Sequence, residues 1–336
     1  MAEKVTAIAN VNFALSKYWG KRDLKLMLPS VTSVSLTVDN LLTKTTLELT
    51  AGPADEITIN QQLLDLKSAE YLNYIGRFLD LVREIAGSDH KIKMQTENNF
   101  PTGAGLASSA SGFAALTLAL NQIFELKLGI KDLSILARRG SGSATRSILG
   151  GFNSWEKGQA EDGSDSHILS IADGSYWPEF RIVVCITDSM RKKVNSRAGM
   201  SQTVKTSRIY NQLWIHQAEA DAKLIKQSIL DKEIEKLGIL AEKNAQLMHA
   251  TMLETTPPII YWNETSFEIV SALIQAREQG LQAYYTMDAG PQVKIICLES
   301  SLEAVKTLVN QVEGVKEIRV CSPALRDAYL TDSHLF

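Results

Sequence analysis

A run of small residues, NNFPTGAGLASSASG at 98–112, lies between an alternating stretch, KIKMQTE at 91–97, and a strongly apolar stretch, FAALTLALNQIF. Alternation predicts a strand and the apolar stretch a helix, so the order is strand, small-residue loop, helix. Such a loop lets backbone N–H groups approach a ligand, and the positive end of the following helix favours anions. Pro101, Gly103, Gly105, Leu106, Ala107, Ser108 and Ser109 are therefore candidate phosphate-binding residues, with hydroxyls at Ser108 and Ser109 to donate or to reach a magnesium ion. The loop lacks the lysine of G-x-x-x-x-G-K-[ST] and is not G-x-G-x-x-G, so neither common nucleotide fingerprint applies. A plain helix cap is the alternative, but a loop this long and small costs chain entropy.

Around this centre the chain reads as mixed α and β. Strands are expected at 4–13, 33–39, 44–50 and 56–59, then an amphipathic helix over 66–86 with Leu72, Ile75, Leu79, Val82 and Ala86 on one face and Gly87 at its end. A helix at 131–139 stops at Gly140, a short one follows Ser141, and Gly150-Gly151 leads to another strand. Beyond the strand at 181–187 come helices at 199–228 and 231–252, and a third that Asn263 can cap. QAYYTMD, VKIICLE, a helix at 301–313 and KEIRVCS complete an α+β sandwich.

At 336 residues the chain is long enough for two self-sufficient cores, and the expected division is 1–185 and 186–336. A net charge of -3 argues against an extended nucleic-acid footprint, and so against the rival reading of the first lobe as an RNA-binding module. Cys185, Cys297 and Cys321 are an odd count in separate apolar runs, which reads as reduced thiols in a cytoplasmic protein. No apolar run is long enough to span a bilayer, and the first residues do not read as a secretory signal. The five histidines have no zinc-site spacing.

The pattern Pro-x-x-x-Gly-Leu-Ala-Ser-Ser-Ala resembles the phosphate loop of the GHMP kinase superfamily. Together with NFALSKYWGKR at 12–22, ARRGSGSATRS at 137–147, NSRAGM at 195–200 and MDAGP at 287–291, it resembles the mevalonate diphosphate decarboxylases within that superfamily. Separate motifs recurring in order are far more specific than one glycine loop. Gly103 and Thr145 depart from positions where a small residue, often Cys, is expected.

That resemblance implies a two-lobed GHMP kinase fold, with an N-terminal ribosomal-protein-like α/β lobe, a C-terminal α/β sandwich and an active-site cleft between them. It implies ATP as co-substrate, magnesium with Ser109 as a protein contact, and a homodimer. The implied reaction is ATP-dependent decarboxylation of mevalonate 5-diphosphate; alternatives are the 5-monophosphate as substrate, or a kinase that stops at phosphorylation. Asp288, Lys17 and Arg146 match the catalytic trio, and Asn12, Tyr18, Lys21, Ser141, Ser143 and Arg197 match positions that bind the substrate's diphosphate and mevalonyl portion. Taken alone, Asp288 could equally cap its own turn, and Ser141 and Ser143 could cap a helix. If catalytic, Asp288 could serve as base or as orienting group.

Overall fold

The structure is a computed structural model that describes residues 4–100, 108–187 and 194–336. The first strand, β1 (Lys4–Ser16), is followed by a small hairpin of β2 (Lys21–Asp23) and β3 (Leu28–Pro29), then by the long β4 (Ser33–Thr50). The strands expected at 33–39 and 44–50 are thus one. Asn40 adopts a left-handed φ of 60°, and because Asn10 faces Leu42 while Asn12 faces Thr37, the extra residues of β4 bulge there and bend the strand. Its two halves consequently reach different neighbours.

The hairpin β5 (Glu56–Ile59) and β6 (Gln62–Leu63) precedes a π-turn at Tyr71–Ile75 and α1 (Gly76–Ala86), which Gly87 ends at φ 61°. The regular helix is shorter than its apolar spacing predicts. The wider turn rotates the helix face, so Leu72 is 55% exposed while Ile75, Leu79 and Val82 are buried. Then come β7 (Lys91–Asn98), α2 (Ser108–Ile123), α3 (Ile130–Gly140), a 3-10 turn at Gly142–Ser147, β8 (Gly151–Trp155) and β9 (Ile168–Ala172).

The second half contains β10 (Phe180–Ile186), α4 (Ser196–Thr206), α5 (Ile215–Leu230), α6 (Ile234–Leu253), α7 (Glu264–Glu278), β11 (Ala283–Met287), β12 (Val293–Leu298), α8 (Leu302–Asn310), β13 (Glu317–Cys321) and β14 (Tyr329–Thr331). The helix expected at 199–228 breaks at Ser207, whose backbone is extended. Its hydroxyl accepts from Tyr210 N and donates to Glu254, and Glu254 also accepts from Ile209 N, so side chains replace the helical ladder at the break. Asn263 caps α7 through a reciprocal box with Ser266.

Two sheets result. The larger runs β14-β1-β4-β7-β5-β6, with β8 and β9 continuing from the first half of β4; the smaller runs β11-β12-β10-β13. Helices α1, α2 and α3 cover one face of the larger sheet through Phe78, Leu79, Ala115, Leu116, Leu133 and Leu136. A central core joins Phe13, Leu15 and Leu36 of that sheet to Ile225, Ile229 and Leu237 of α5 and α6, and to Ile182, Val184, Tyr284 and Ile296 of the smaller sheet. The opposite face of the smaller sheet packs Val183, Val293 and Ile295 on α7 and α8. Alternation along β12 therefore sends Val293 and Ile295 outward to those helices and Lys294 inward with Ile296.

Candidate active site

Between the end of β1 and the β11–β12 turn lies a buried cluster of charge. Asp288 follows β11 directly, and its carboxylate is held at both oxygens: Oδ1 accepts from Lys17 Nζ at 2.8 Å, and Oδ2 pairs with Lys294 Nζ at 3.1 Å. The side chain of Lys17 is 1% exposed and that of Lys294 0%, whereas Asp288 remains 27% open. Burial alone would raise the Asp288 pKa, but the two ammonium groups outweigh it and hold the carboxyl far below its usual range. Burial in turn pulls Lys17 down to about 8 against the attraction of Asp288.

Lys17 is fixed at both ends. Its Nζ also donates to Ala14 O at 2.8 Å, and its backbone N–H donates to Asn244 Oδ1 at 2.7 Å; Asn244 in turn donates to Asp221 at 2.8 Å. His249, on the same helix as Asn244, packs edge-on to Trp262 at 5.4 Å. Burial and the nearby lysines lower its pKa to about 3, so it is neutral, and its buried Nε2 has no hydrogen-bond partner among the described residues.

Arg146 comes from the 3-10 turn after α3 and is 4% exposed. Its Nε donates to Asn12 Oδ1 at 3.0 Å and its Nη1 to Ser33 Oγ at 2.7 Å. Burial lowers its pKa to about 10, partly offset by Asp288, so it stays charged at neutral pH. Asn12 completes its set by donating to Ser143 O and Ser147 Oγ. In this arrangement Asn12 is bound to Arg146 and the 3-10 turn rather than left free.

A cavity of about 1280 Å³ opens above these groups, and its wall includes every candidate among the described residues: Asn12, Lys17, Tyr18, Lys21, Ser108, Ser109, Ser141, Ser143, Arg146, Arg197 and Asp288. Tyr18 stacks edge-on to Trp155 at 4.7 Å, and its hydroxyl is buried without a partner among the described residues. Gly142 is required beside it, since an added Cβ would lie 2.6 Å from that hydroxyl. Burial and the Arg197 charge lower Lys21 to about 8. The Arg197 guanidinium lies 4.0 Å from the Tyr74 ring centroid, linking the start of α4 to the π-turn before α1.

Ser108 and Ser109 occupy the first turn of α2, which brings the positive end of that helix to the cavity. Ser141 Oγ is 3.5 Å from Ser109 Oγ and 3.4 Å from Ser143 Oγ, so three hydroxyls gather there. Pro101, Gly103, Gly105, Leu106 and Ala107 lie outside the described residues. Lys294, Asn244, Ser33, His249 and Tyr74 were not found by sequence reasoning. Only Lys294 carries a signal: a lysine inside VKIICL, a strand otherwise apolar and buried at five of its positions.

A model of the diphosphomevalonate decarboxylase-like N-terminal domain matches residues 9–168, and one of the mevalonate 5-diphosphate decarboxylase C-terminal domain matches residues 182–325. The chain belongs to the diphosphomevalonate decarboxylase family. It is 38% identical to the diphosphomevalonate decarboxylase of Gibberella zeae over 347 residues, covering 99% of this chain and 91% of that protein. A solved structure described as MDDEF with MVAPP, AMPPCP and magnesium superposes with a TM-score of 0.91 at 37% identity, covering 99% of this chain and 100% of that one. The mevalonate diphosphate decarboxylase of Enterococcus faecalis, described in terms of mevalonate diphosphate mediated ATP binding, gives 0.90 at 36% identity with the same coverage. The mixed α+β architecture matches the two-domain family structures, as the resemblance implied.

Proposed function

We propose that this protein converts mevalonate 5-diphosphate and ATP to isopentenyl diphosphate, ADP, phosphate and carbon dioxide. The observation that carries the reading is Asp288, clamped by lysines yet open to a cavity that also holds Arg146 and the N-terminus of α2. Phosphoryl transfer needs an aligned nucleophile and cations for the transferred group; decarboxylation needs a held carboxylate and a good leaving group. All of these elements face one space.

In this reading the 3-hydroxyl of the substrate lies against Asp288. A carboxylate paired with two lysines is a weak base, so it orients the hydroxyl and takes its proton late, as the bond to the γ-phosphorus forms. Lys17 offsets charge on the transferring group. Once phosphorylated, the tertiary C–O bond breaks with phosphate leaving, the carboxylate C–C bond breaks, and its electron pair closes the alkene as carbon dioxide departs. Arg146, fixed by Asn12 and Ser33, grips that carboxylate until then.

Tyr18, Lys21, Arg197, Ser141 and Ser143 supply donors for the diphosphate, and the unpartnered Tyr18 hydroxyl supports a ligand acceptor there. Pro101, Gly103, Gly105, Leu106 and Ala107 belong to the ATP phosphate loop in this proposal, with Ser108 and Ser109 in the first helical turn. The hydroxyls at Ser109 and Ser141 are hard oxygen donors, which fits magnesium carried mainly by the nucleotide's phosphates, and Ser109 would hold it. When bound, the ion neutralises phosphate charge.

The lobes divide near residue 185 in this reading, with β14 returning to the first sheet. Cytoplasmic placement is supported by three buried free thiols; homodimer assembly rests on family likeness and is tested by sedimentation. Among the described residues no helix is long and apolar enough to cross a membrane. The deciding assay supplies MgATP with mevalonate 5-diphosphate and, separately, the 5-monophosphate. ADP, carbon dioxide and alkene should form in equal amounts and preferentially from the diphosphate. ADP without carbon dioxide would reduce the protein to a kinase.

A further inference from the structure

Lys294 is a buried lysine that the catalytic trio does not explain. It lies on β12 opposite Val184 and Thr286, 0% exposed, with its ammonium 5.5 Å from the Phe13 ring centroid. It is absent from the cavity wall, whereas Asp288 and Lys17 form part of it. Asp288 already has one buried lysine partner, and a second is not needed to neutralise it. With Arg146 nearby, three cations face one carboxylate while His249 stays neutral. Such a surplus is unfavourable for a purely structural staple, because each buried charge must recover its lost hydration. It becomes favourable when anions enter the cavity.

The direction of the contact gives Lys294 a more specific task. Lys17 holds Oδ1 and Lys294 holds Oδ2, so the two amines approach from the end of β1 and from β12 and fix the plane of the carboxylate. With Lys17 alone, rotation about the Cβ–Cγ bond would remain open, and the oxygen presented to a hydroxyl would vary. Positional error of this kind is costly in phosphoryl transfer, where alignment supplies much of the rate.

We propose that Lys294 is a positioning residue for Asp288, locking its carboxylate in the orientation that receives the substrate hydroxyl. The inference rests on the decarboxylase reading, and its test separates the two. Wild-type release of carbon dioxide from mevalonate 5-diphosphate keeps the reading, whatever Lys294 does. Lys294→Met preserves length and apolar packing but removes the charge. It should lower kcat by roughly 10- to 100-fold, the scale of a lost second contact to a reacting group. The dissociation constant for a non-hydrolysable ATP analogue should stay within about twofold, since the phosphate cradle is untouched.

A double-variant cycle supplies the readout that general loosening of the core would not. In an Asp288→Asn background, Lys294→Met should cost less than about threefold in kcat, because its effect has already been lost with the carboxylate. Wild-type kcat in Lys294→Met, or an equal loss in both backgrounds, overturns the proposal. If Lys294→Met does not fold, Lys294→Gln carries the same measurements: it retains a neutral amide on β12, and the same two outcomes decide it.

Discussion

Two ion-paired carboxylates in this molecule have opposite surroundings. Asp55, just before β5, is 5% exposed; its Oδ1 accepts from Arg83 and from Ile92 N, and its Oδ2 from Tyr71 OH at 2.8 Å. One cation and two neutral donors meet one anion there, joining α1 and its π-turn to β7. Asp288 has two lysines with Arg146 close by, and a quarter of its side chain faces a cavity. The first site is complete without a ligand. The second carries surplus positive charge and an open side, which is the condition for a site that gains stability when anions arrive.

Substituting the two aspartates should separate these roles. Asp288→Asn is nearly isosteric and reduces the charge-assisted pairing of both lysines. Turnover should fall by about 1000-fold, or ~4 kcal/mol, with the ATP-analogue affinity little changed. Equal loss of nucleotide affinity would place Asp288 in the phosphate cradle instead. Asp55→Ala should cost about 3 kcal/mol of stability by removing the acceptor of Ile92 N and Tyr71 OH and leaving Arg83 only the exposed Asp80 and His90 O, with kcat per folded molecule preserved. Denaturant unfolding and active-site titration together check this; a loss of kcat without a loss of stability would erase the contrast.

The same contrast explains what the sequence could and could not reveal. Motif segments such as SKYWGK, SATRS and MDAGP identify Lys17, Arg146 and Asp288 because each joins a charged residue to a backbone context repeated across a family. The capping residues Gly87 and Asn263 were legible for a local reason: they act within their own turn. Asn244, Ser33 and Tyr74 work through partners 227, 113 and 123 positions away, and no local pattern marks them. The fusion of two expected strands into β4 and the break at Ser207 are likewise tertiary outcomes, set by pairing to β1, β7 and β8 and by Glu254. Lys294 lies between these extremes, visible as an anomaly but uninterpretable until the fold places it on Asp288.

A smaller effect should arise one step behind Lys17. Asn244→Leu keeps approximate volume but leaves the Lys17 N–H and Asp221 Oδ2 without their amide partner, while Asp221 Oδ1 keeps Gln217. Unsatisfied buried groups of this kind cost about 2–3 kcal/mol. Because the N–H sets where Lys17 leaves the strand end, kcat should fall as well, by roughly 10-fold, or ~1.4 kcal/mol of misplacement. Thermal unfolding and single-turnover rates measure the two separately. A stability loss with an unchanged single-turnover rate would show that Asn244 supports the core without setting Lys17.

The mildest test needs no substitution, because the two lysines lowered to about 8, Lys17 and Lys21, make activity and stability move in opposite directions with pH. Both are needed as ammonium groups in the proposed reaction, so kcat/KM, which reports the free enzyme, should decline as pH rises through about 8. Bound substrate brings negative charge beside them and favours the protonated form, so the corresponding decline in kcat should lie at higher pH. Stability follows the reverse sign. An unfolded lysine titrates near 10.5, so between about 8 and 10.5 the unfolded chain binds more protons than the folded one, and the contribution of these groups to stability increases with pH. Below about 8 both states are protonated and that increase is absent. Asp288 adds nothing in this window, since its carboxyl is held ionised far below it. Parallel pH profiles of kcat/KM, kcat and urea midpoint, compared with Lys21→Met to remove one of the two titrations, measure all three trends. Coincident limbs for kcat/KM and kcat would mean that the lysines do not face the bound anions.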